Sequence, residues 1–303
     1  MKTLIYIISS PRSGSTLLAN ILGNSQTFFN AGEISSINGF INENSRQAAA
    51  FNNSCSCGDK FNKCNFWEGI LHSTAAKLGV SEKKISTWIK IQNKIPLRFL
   101  FKKKHLESIQ RDILVGNSAK DAARHAFAIF DNIVSETGCS VVIDSSKKLT
   151  NLIAYSEYVP IDWKIKVVYI YRDPEATALS VQKAGNRLGI DDDKNYYLNL
   201  LKCVHYNALI KRCLKKYEHF SVSLNELCLD FEKFEYELIN FLNLPSTKRL
   251  SLVSSKRVRH DIGGSVSISA LEEKIKLKLD ESWANEISFV RKFISKIIKM
   301  HNI

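Results

Sequence analysis

The residues best suited to chemistry form a short polar loop near the start of the chain. An apolar run ends at Ser9, the loop continues as Pro-Arg-Ser-Gly-Ser-Thr over 11–16, and a leucine-rich amphipathic pattern follows. A strand, a loop and a helix start in this order typically bind phosphate, because the first N–H groups of the helix point at the anion. Arg12 adds a forked donor for phosphate or sulfate oxygens, and Gly14 lets the backbone approach a ligand closely. A helix capped by Ser or Thr would explain this loop alone equally well.

The same loop lacks two residues that a Mg²⁺-nucleotide loop needs. In such a loop the last glycine is followed by Lys and then by Ser or Thr, whereas Gly14 is followed by Ser15 and Thr16. The sequence therefore predicts an anion site that works without the Walker lysine and without a hydroxyl ligand for magnesium.

A second candidate anion site lies in the segment Y-R-D-P-E-A-T-A-L-S, residues 171–180. Arg172 ends an apolar run, Pro174 has a position typical of the first residue of a helix, and Ser180 lies further along that helix. At the carboxyl edge of a parallel sheet, the guanidinium and the hydroxyl can converge on one anion. Taken alone, Arg172 and Asp173 indicate only a capped helix with a structural ion pair.

Four apolar runs rich in Val and Ile predict the strands that position both loops. Their continuous pattern is typical of parallel strands that are buried on both faces. They are Thr3–Ser9, Ser140–Ile143, Ile165–Tyr171 and a weaker Phe220–Leu224. The segment at about 33–138 has helical periodicity instead. We therefore expect an α/β fold with a central, mainly parallel sheet, in a single domain over 1–303 whose helical insertion shapes the acceptor pocket.

The composition limits the class of partner and the compartment. The 303 residues carry 43 Lys and Arg against 30 Asp and Glu, a formal net charge of +13, which favours anionic partners. No apolar run approaches the roughly 18 residues of a membrane span, and the apolar start is too short for a signal peptide. Seven cysteines without an export signal favour a reducing compartment, so a cytoplasmic location is expected. No aromatic-basic motif indicates nucleic acid, and Lys102–Lys104 beside aromatic residues would allow peripheral membrane contact.

The two anion sites together resemble the sulfotransferase superfamily, which takes its sulfuryl group from 3′-phosphoadenosine-5′-phosphosulfate (PAPS). P-R-S-G-S-T-L-L is similar to the 5′-phosphosulfate loop, and the pair Arg172 and Ser180 is similar to the 3′-phosphate signature. Later segments follow the family order, among them V-I-D-S-S-K (142–147), R-H-D-I-G-G-S-V-S-I (259–268, the late loop) and D-E-S-W-A-N-E-I (280–287). The resemblance implies a P-loop-like three-layer αβα fold of bacterial type, closer to carbohydrate and protein-tyrosine sulfotransferases than to cytosolic small-molecule ones.

The resemblance also implies residue roles. Arg12 and Lys147, with Lys148 as the rival lysine, would stabilise the sulfuryl oxygens, and Glu33 would be the general base. An acid favoured at a helix start is the alternative for Glu33. The small-molecule members use a histidine as base, and none of the seven histidines lies in a comparable motif. The residues implied to bind the cofactor are Arg12, Ser13, Gly14, Ser15, Thr16, Arg172, Ser180, Gly263, Gly264 and Ser265.

These features predict an enzyme that moves a sulfuryl group from PAPS to a hydroxyl by in-line displacement, leaving 3′,5′-adenosine bisphosphate and requiring no metal. The acceptor is expected on a carbohydrate or glycoconjugate. Two alternatives stay open: a P-loop kinase-like phosphotransferase with Asp144 as its magnesium ligand, and a catalytically silent nucleotide-binding module. The late loop departs from many relatives, which have Asn-Pro where this chain has Ser-Val after the glycines.

Three cysteines, Cys55, Cys57 and Cys64, lie close together in the insertion. C-x-C followed by a third cysteine suggests zinc, but paired C-x₂-C spacing is missing and no fourth ligand is evident. The sequence therefore favours a small reduced loop, or a disulfide under oxidising conditions, over a metal site.

Overall fold

A computed structural model shows that the described residues form a five-stranded sheet, with all strands parallel and in the order β2-β3-β1-β4-β5. The strands are β1 (Lys2–Ile8), β2 (Phe28–Gly32), β3 (Val141–Lys147), β4 (Trp163–Tyr171) and β5 (His219–Ser223). The structure describes residues 1–44, 46–50, 52–87, 89, 117–188, 195–244, 250–253, 258–263, 275, 277–288, 292 and 295–296.

The predicted α/β class and the four predicted strands are confirmed, whereas β2 was not predicted. This segment reads F-F-N-A-G and contains Asn and Gly, which are disfavoured in strands. It forms at the edge of the sheet because β3 offers a partner, with Phe29 opposite Val142. The strand ends at Gly32, so the residue that leaves the sheet there is Glu33.

Helices cover both faces of the sheet. Because side chains alternate along a strand, Leu4, Tyr6 and Ile8 enter one apolar cluster while Ile5 and Ile7 enter another. The α-helices of the described residues are α1 (Ser15–Gly23), α2 (Ile37–Ile41), α3 (Arg46–Ala50), α4 (Asn65–Leu78), α5 (Asn117–Thr137), α6 (Leu149–Glu157), α7 (Pro174–Leu188), α8 (Tyr196–Leu214), α9 (Leu224–Leu229), α10 (Phe231–Leu242) and α11 (Trp283–Glu286). The first cluster includes residues of α4, α5 and α6, and the second includes residues of α1 and α10, which makes three layers.

Most of the described part of the insertion is helical, as the periodicity predicts. Trp67 on α4 and Phe130 on α5 are fully buried and Phe127 on α5 is nearly so, all in the first cluster. The segment Lys102–Lys104 lies outside the described residues. Across the part of the chain that is described, no helix combines the length and the apolar character that a bilayer crossing demands.

Candidate functional site

The loop of the first predicted anion site connects β1 to α1 at the carboxyl edge of the sheet. Gly14 is the N-cap of α1 and has φ 92°, a left-handed conformation that glycine adopts without strain. A Cβ there would lie 2.6 Å from Cδ1 of Leu224, so a larger residue would fit only if Leu224 moved. The Leu18 N–H donates to the Gly14 carbonyl at 3.0 Å. The N–H groups of Ser15 and Thr16 come before that bond, so helix geometry gives them no acceptor within α1.

Arg12 and Ser180, which come from the two predicted anion sites, are hydrogen-bonded to each other. Arg12 Nε donates to Ser180 Oγ at 3.1 Å, between the first loop and α7. Since the Ser180 hydroxyl accepts here, it can still donate its own proton to another acceptor. Beside Arg12, Ser13 is fully buried, and its Oγ has no hydrogen-bond partner among the described residues. The two predicted sites are therefore one polar region, with a buried hydroxyl that a bound anion would satisfy.

Arg172 follows β4 at the same edge of the sheet. Its Nη2 donates to the carbonyl of Asp280 at 3.1 Å, close to the start of α11. Burial lowers the pKa of the Arg172 guanidinium, and the carboxylates of Asp280 and Asp173 oppose that shift. An anionic ligand near this partly desolvated cation would stabilise its charged form further.

Glu33 and Lys147 form an ion pair at the ends of the neighbouring strands β2 and β3. Their side chains are only 13% and 15% exposed, respectively. Lys147 has φ 66°, which is uncommon for a residue with a Cβ, and its carbonyl accepts a hydrogen bond from the Tyr206 hydroxyl at 2.8 Å. The structure thus brings together the two residues that the resemblance implies as base and sulfuryl-binding lysine.

Lys148, the alternative lysine, places a second ammonium group close to the carboxylates of Glu33 and Asp144. Burial lowers the pKa of Lys148 to about 8, and the charges of Glu33 and Asp144 oppose that shift. The Tyr6 hydroxyl donates to the Lys148 carbonyl at 2.7 Å. Two tyrosines, Tyr6 and Tyr206, therefore fix the backbone of both lysines, and the sequence predicts a role for neither of them.

Asp144 lies fully buried in β3, close to Glu33 of the ion pair. Burial raises the pKa of Asp144 to about 7, repulsion from Glu33 adds to the rise, and hydrogen bonds from Ser146 oppose it. The Ser146 N–H donates to Asp144 Oδ1 at 2.9 Å, and the Ser146 hydroxyl contacts the same oxygen. The Ser35 N–H in turn donates to Ser146 Oγ at 2.9 Å. Asp144 therefore ties the end of β3 to the segment that follows Glu33, which is a positioning arrangement.

The late loop crosses directly over Gly32 and Glu33. The Ile262 N–H donates to the Ala31 carbonyl at 3.2 Å, and the Glu33 N–H donates to the Ile262 carbonyl at 2.7 Å. A Cβ on Gly32 would lie 2.2 Å from the Ile262 carbonyl oxygen, so only glycine allows this approach. Gly263 has φ 70°, and the predicted cofactor residues Gly264 and Ser265 lie outside the described residues.

Arg259 in the late loop is held inside the protein. Its Nε donates to Asp261 Oδ1 at 2.9 Å, and Nη2 donates to Asp261 Oδ2 at 2.9 Å and to Asn20 Oδ1 at 2.6 Å. Asp261 also accepts a hydrogen bond from the Ser56 hydroxyl at 2.9 Å. These bonds fasten the late loop to α1 and to the insertion.

The three cysteines of the insertion have a fourth neighbour in the late loop, His260. The metal-binding atoms of Cys55, Cys57, Cys64 and His260 all lie within 4.8 Å of one another. The structure thus shows a fourth possible ligand, which is not evident from the sequence. The sequence does not reveal this neighbour because His260 lies 196 positions after Cys64 and 205 positions after Cys55.

A comparison with solved structures bears on the fold. No known family model and no curated protein matches the sequence. A sulfotransferase domain from the curacin biosynthetic pathway is similar in structure, with a TM-score of 0.52 and 15% identity, over 99% of this chain and 97% of that one. A sulfotransferase domain from the Synechococcus PCC 7002 olefin synthase aligns with a TM-score of 0.47 and 16% identity, over 98% and 93% of the two chains. Because the first likeness spans nearly the whole of both chains, this chain has the fold of a sulfotransferase domain.

Proposed function

We propose that the chain is a PAPS-dependent sulfotransferase that acts on a hydroxyl acceptor. The observation that carries the proposal is the 3.1 Å hydrogen bond between Arg12 and Ser180, because it makes one region of two anion sites predicted from distant segments. A nucleotide that carries a phosphate group at its 5′ position and another at its 3′ position fits such a region. The sulfotransferase fold supports the same conclusion independently of the site.

The donor contacts follow from the two halves of this region. The N–H groups at the start of α1, with Arg12 and the buried Ser13 hydroxyl, would hold the 5′-phosphosulfate. Arg172 and Ser180 would hold the 3′-phosphate. Further along, Gly263, Gly264 and Ser265 would close over the nucleotide. This donor arrives already activated at its phosphosulfate linkage, so we propose that the transfer itself uses no metal.

The ion pair of Glu33 and Lys147 supplies the chemistry of the transfer. Lys147 and Arg12 would stabilise the charge that develops on the sulfuryl oxygens, and Glu33 would accept the proton of the attacking hydroxyl. When Lys147 turns towards a sulfuryl oxygen, the Glu33 carboxylate becomes available to accept a hydrogen bond from the attacking hydroxyl.

A hydroxyl on a carbohydrate or glycoconjugate is the acceptor that we propose. The support is the position of Glu33 before the helical insertion, similar to the base of glycan and protein-tyrosine sulfotransferases, together with a net charge of +13 that suits an acidic glycan. In this proposal the whole chain is one domain, and the insertion at about 33–138 forms the acceptor side.

The kinase alternative needs Asp144 as a magnesium ligand. That carboxylate is fully buried, accepts two hydrogen bonds from Ser146 and has a pKa raised to about 7, so it is poorly disposed to hold a cation at the surface of the site. The silent-module alternative makes no use of the buried ion pair between Glu33 and Lys147.

Thermal unfolding with added ligands tests the donor. At 100 times its dissociation constant, 3′,5′-adenosine bisphosphate should stabilise the chain by about 2.7 kcal/mol, which is several degrees in Tm. Under the same conditions ATP with Mg²⁺ should do much less, and the reverse preference would overturn the proposal in favour of a kinase. Transfer of ³⁵S-labelled sulfuryl groups to a panel of polysaccharide, lipid, peptide and phenol acceptors then identifies the acceptor, and bisphosphate binding without any transfer would indicate the silent module.

A further inference from the structure

The cluster of Cys55, Cys57, Cys64 and His260 lies outside the transfer site and has the dimensions of a metal site. Cys57 Sγ lies 3.7 Å from Cys64 Sγ. His260 Nδ1 lies 3.3 Å from Cys64 Sγ and 3.7 Å from Cys55 Sγ. The insertion contributes three sulfur atoms, and the late loop contributes one imidazole nitrogen.

Three of the six distances between the ligand atoms match the edges of a zinc tetrahedron, and the other three are at most 4.8 Å. With zinc–sulfur bonds of about 2.3 Å and a zinc–nitrogen bond of about 2.0 Å, a tetrahedral site has sulfur–sulfur edges of about 3.8 Å and sulfur–nitrogen edges of about 3.5 Å. The three measured edges fall within a few tenths of an ångström of these values. We propose that Cys55, Cys57, Cys64 and His260 bind a structural zinc ion that fastens the late loop to the insertion.

The donor set selects the metal. Three thiolates and one neutral imidazole are the soft and borderline ligands that zinc takes in closed structural sites, whereas magnesium and calcium require oxygen ligands. On binding, each thiol gives up its proton to solvent, and no electron is transferred, so the reaction needs no oxidant. A disulfide between Cys57 and Cys64 would instead consume two of the four ligands and require an oxidant.

Neighbouring groups hold the four side chains in place. Burial raises the pKa of the Cys55 and Cys64 thiols, and the backbone N–H groups of Cys57 and Trp67, which hydrogen-bond to the two sulfurs, oppose that rise. The Trp67 indole N–H donates to the His260 carbonyl at 2.8 Å, and the ring of Phe66 stacks on the imidazole at 4.5 Å. Such outer contacts orient metal ligands and strengthen their binding.

The ion would act on the transfer site only through the backbone. His260 lies two residues before Ile262, whose carbonyl accepts the hydrogen bond from the Glu33 N–H at 2.7 Å. Holding His260 therefore fixes the strand-like contact that places Glu33, so the four ligands are positioning residues. This last step rests on the proposed function, whereas the metal site itself does not.

The experiment measures metal before it measures activity. The full chain is produced with zinc and a reductant, and its zinc content is measured by inductively coupled plasma mass spectrometry. About one zinc ion per chain is expected. The zinc is then removed and cobalt(II) is added, because a tetrahedral site with three thiolates gives intense visible bands and sulfur-to-cobalt charge-transfer bands. Competition with a chelator should show that Cys64→Ser and His260→Ala bind zinc at least about tenfold more weakly, while Cys139→Ser, a buried cysteine outside the cluster, binds it as the parent does.

A second variant covers the case in which these substitutions prevent folding. His260→Cys keeps four ligands, so it should retain about one zinc and shift the cobalt bands towards those of a four-thiolate site, an outcome that a merely packed histidine would not give. Zinc far below one per chain, with no charge-transfer bands from reduced protein, overturns the proposal. So does a chain that carries a Cys57–Cys64 disulfide and takes up no zinc after reduction. Binding of 3′,5′-adenosine bisphosphate is measured separately, so failure of the metal site and failure of the proposed function give different results.

Discussion

The two walls of the candidate site are built in different ways. The wall proposed to face the 5′-phosphosulfate, called the donor wall below, consists of the first loop and the start of α1, one continuous segment whose N–H groups, glycine and arginine are all neighbours in sequence. The wall proposed to face the acceptor, called the acceptor wall below, consists of Glu33, Lys147 and Ile262, from three segments that meet through backbone hydrogen bonds, the ion pair and the hydrogen bond between Ser35 and Ser146. Local chain geometry therefore suffices to make the first wall, whereas the second depends on long-range contacts and should be the easier one to disrupt.

Replacing Glu33 by Gln should have the largest effect on turnover. The amide keeps the size of the side chain and can still accept from Lys147, but it cannot take a proton, so kcat should fall by about 10²–10⁴ while bisphosphate binding persists. Glu136→Gln, at an exposed position on α5, is the matched control and should leave kcat unchanged. Steady-state kinetics and a binding titration separate the two effects, and a Glu33→Gln enzyme with near-normal kcat would show that the base is another group.

Gly32→Ala should disrupt the acceptor wall at its backbone. Its φ of 76° costs an alanine about 1 kcal/mol, and the new Cβ would lie 2.2 Å from the Ile262 carbonyl oxygen, so the late loop must move. Gly79→Ala is the matched control, because Gly79 has φ 67° and open space around its Cβ position. Urea unfolding should show a clearly larger loss for Gly32→Ala, and equal losses would mean that the late loop contributes nothing at this point.

The same contrast explains which features the sequence predicts. The strand β1, the glycine and the N-terminal turn of α1 are predicted because each depends on residues close in sequence. The edge strand β2 is missed because its pairing with β3 outweighs its weak strand propensity. His260 is missed as a neighbour of the cysteines because only the folded late loop brings it there. Chemical type and local geometry are thus visible in the sequence, whereas a partner from a distant segment is visible only once the fold is known.

The pH dependence of stability tests the buried carboxyl beneath the acceptor wall. The pKa of Asp144 is raised to about 7 in the folded chain, so between about pH 4 and pH 7 the folded state binds more protons than the unfolded state. The contribution of Asp144 to the free energy of unfolding should therefore fall as the pH rises through this window, by up to about 1.4 kcal/mol per pH unit. Asp144→Asn removes this slope but keeps an oxygen for Ser146. Urea unfolding at several pH values should give a difference between parent and variant that changes below about pH 7 and is constant above it; a difference independent of pH would mean that Asp144 ionises normally.

Ser180→Ala should have the smallest effect, and it tests whether the donor wall extends beyond its own segment. The change removes the acceptor of the Arg12 Nε–H and one donor to the proposed 3′-phosphate, so the affinity for 3′,5′-adenosine bisphosphate should fall about tenfold. The affinity for adenosine 5′-phosphosulfate, which lacks the 3′-phosphate, should fall less. For this nucleotide the substitution changes only the orientation of Arg12. Ser135→Ala, at an exposed position on α5, controls for the loss of a hydroxyl. Equal losses for both nucleotides in calorimetric titrations would mean that Ser180 only orients Arg12, and the donor wall would then be as local as its sequence suggests.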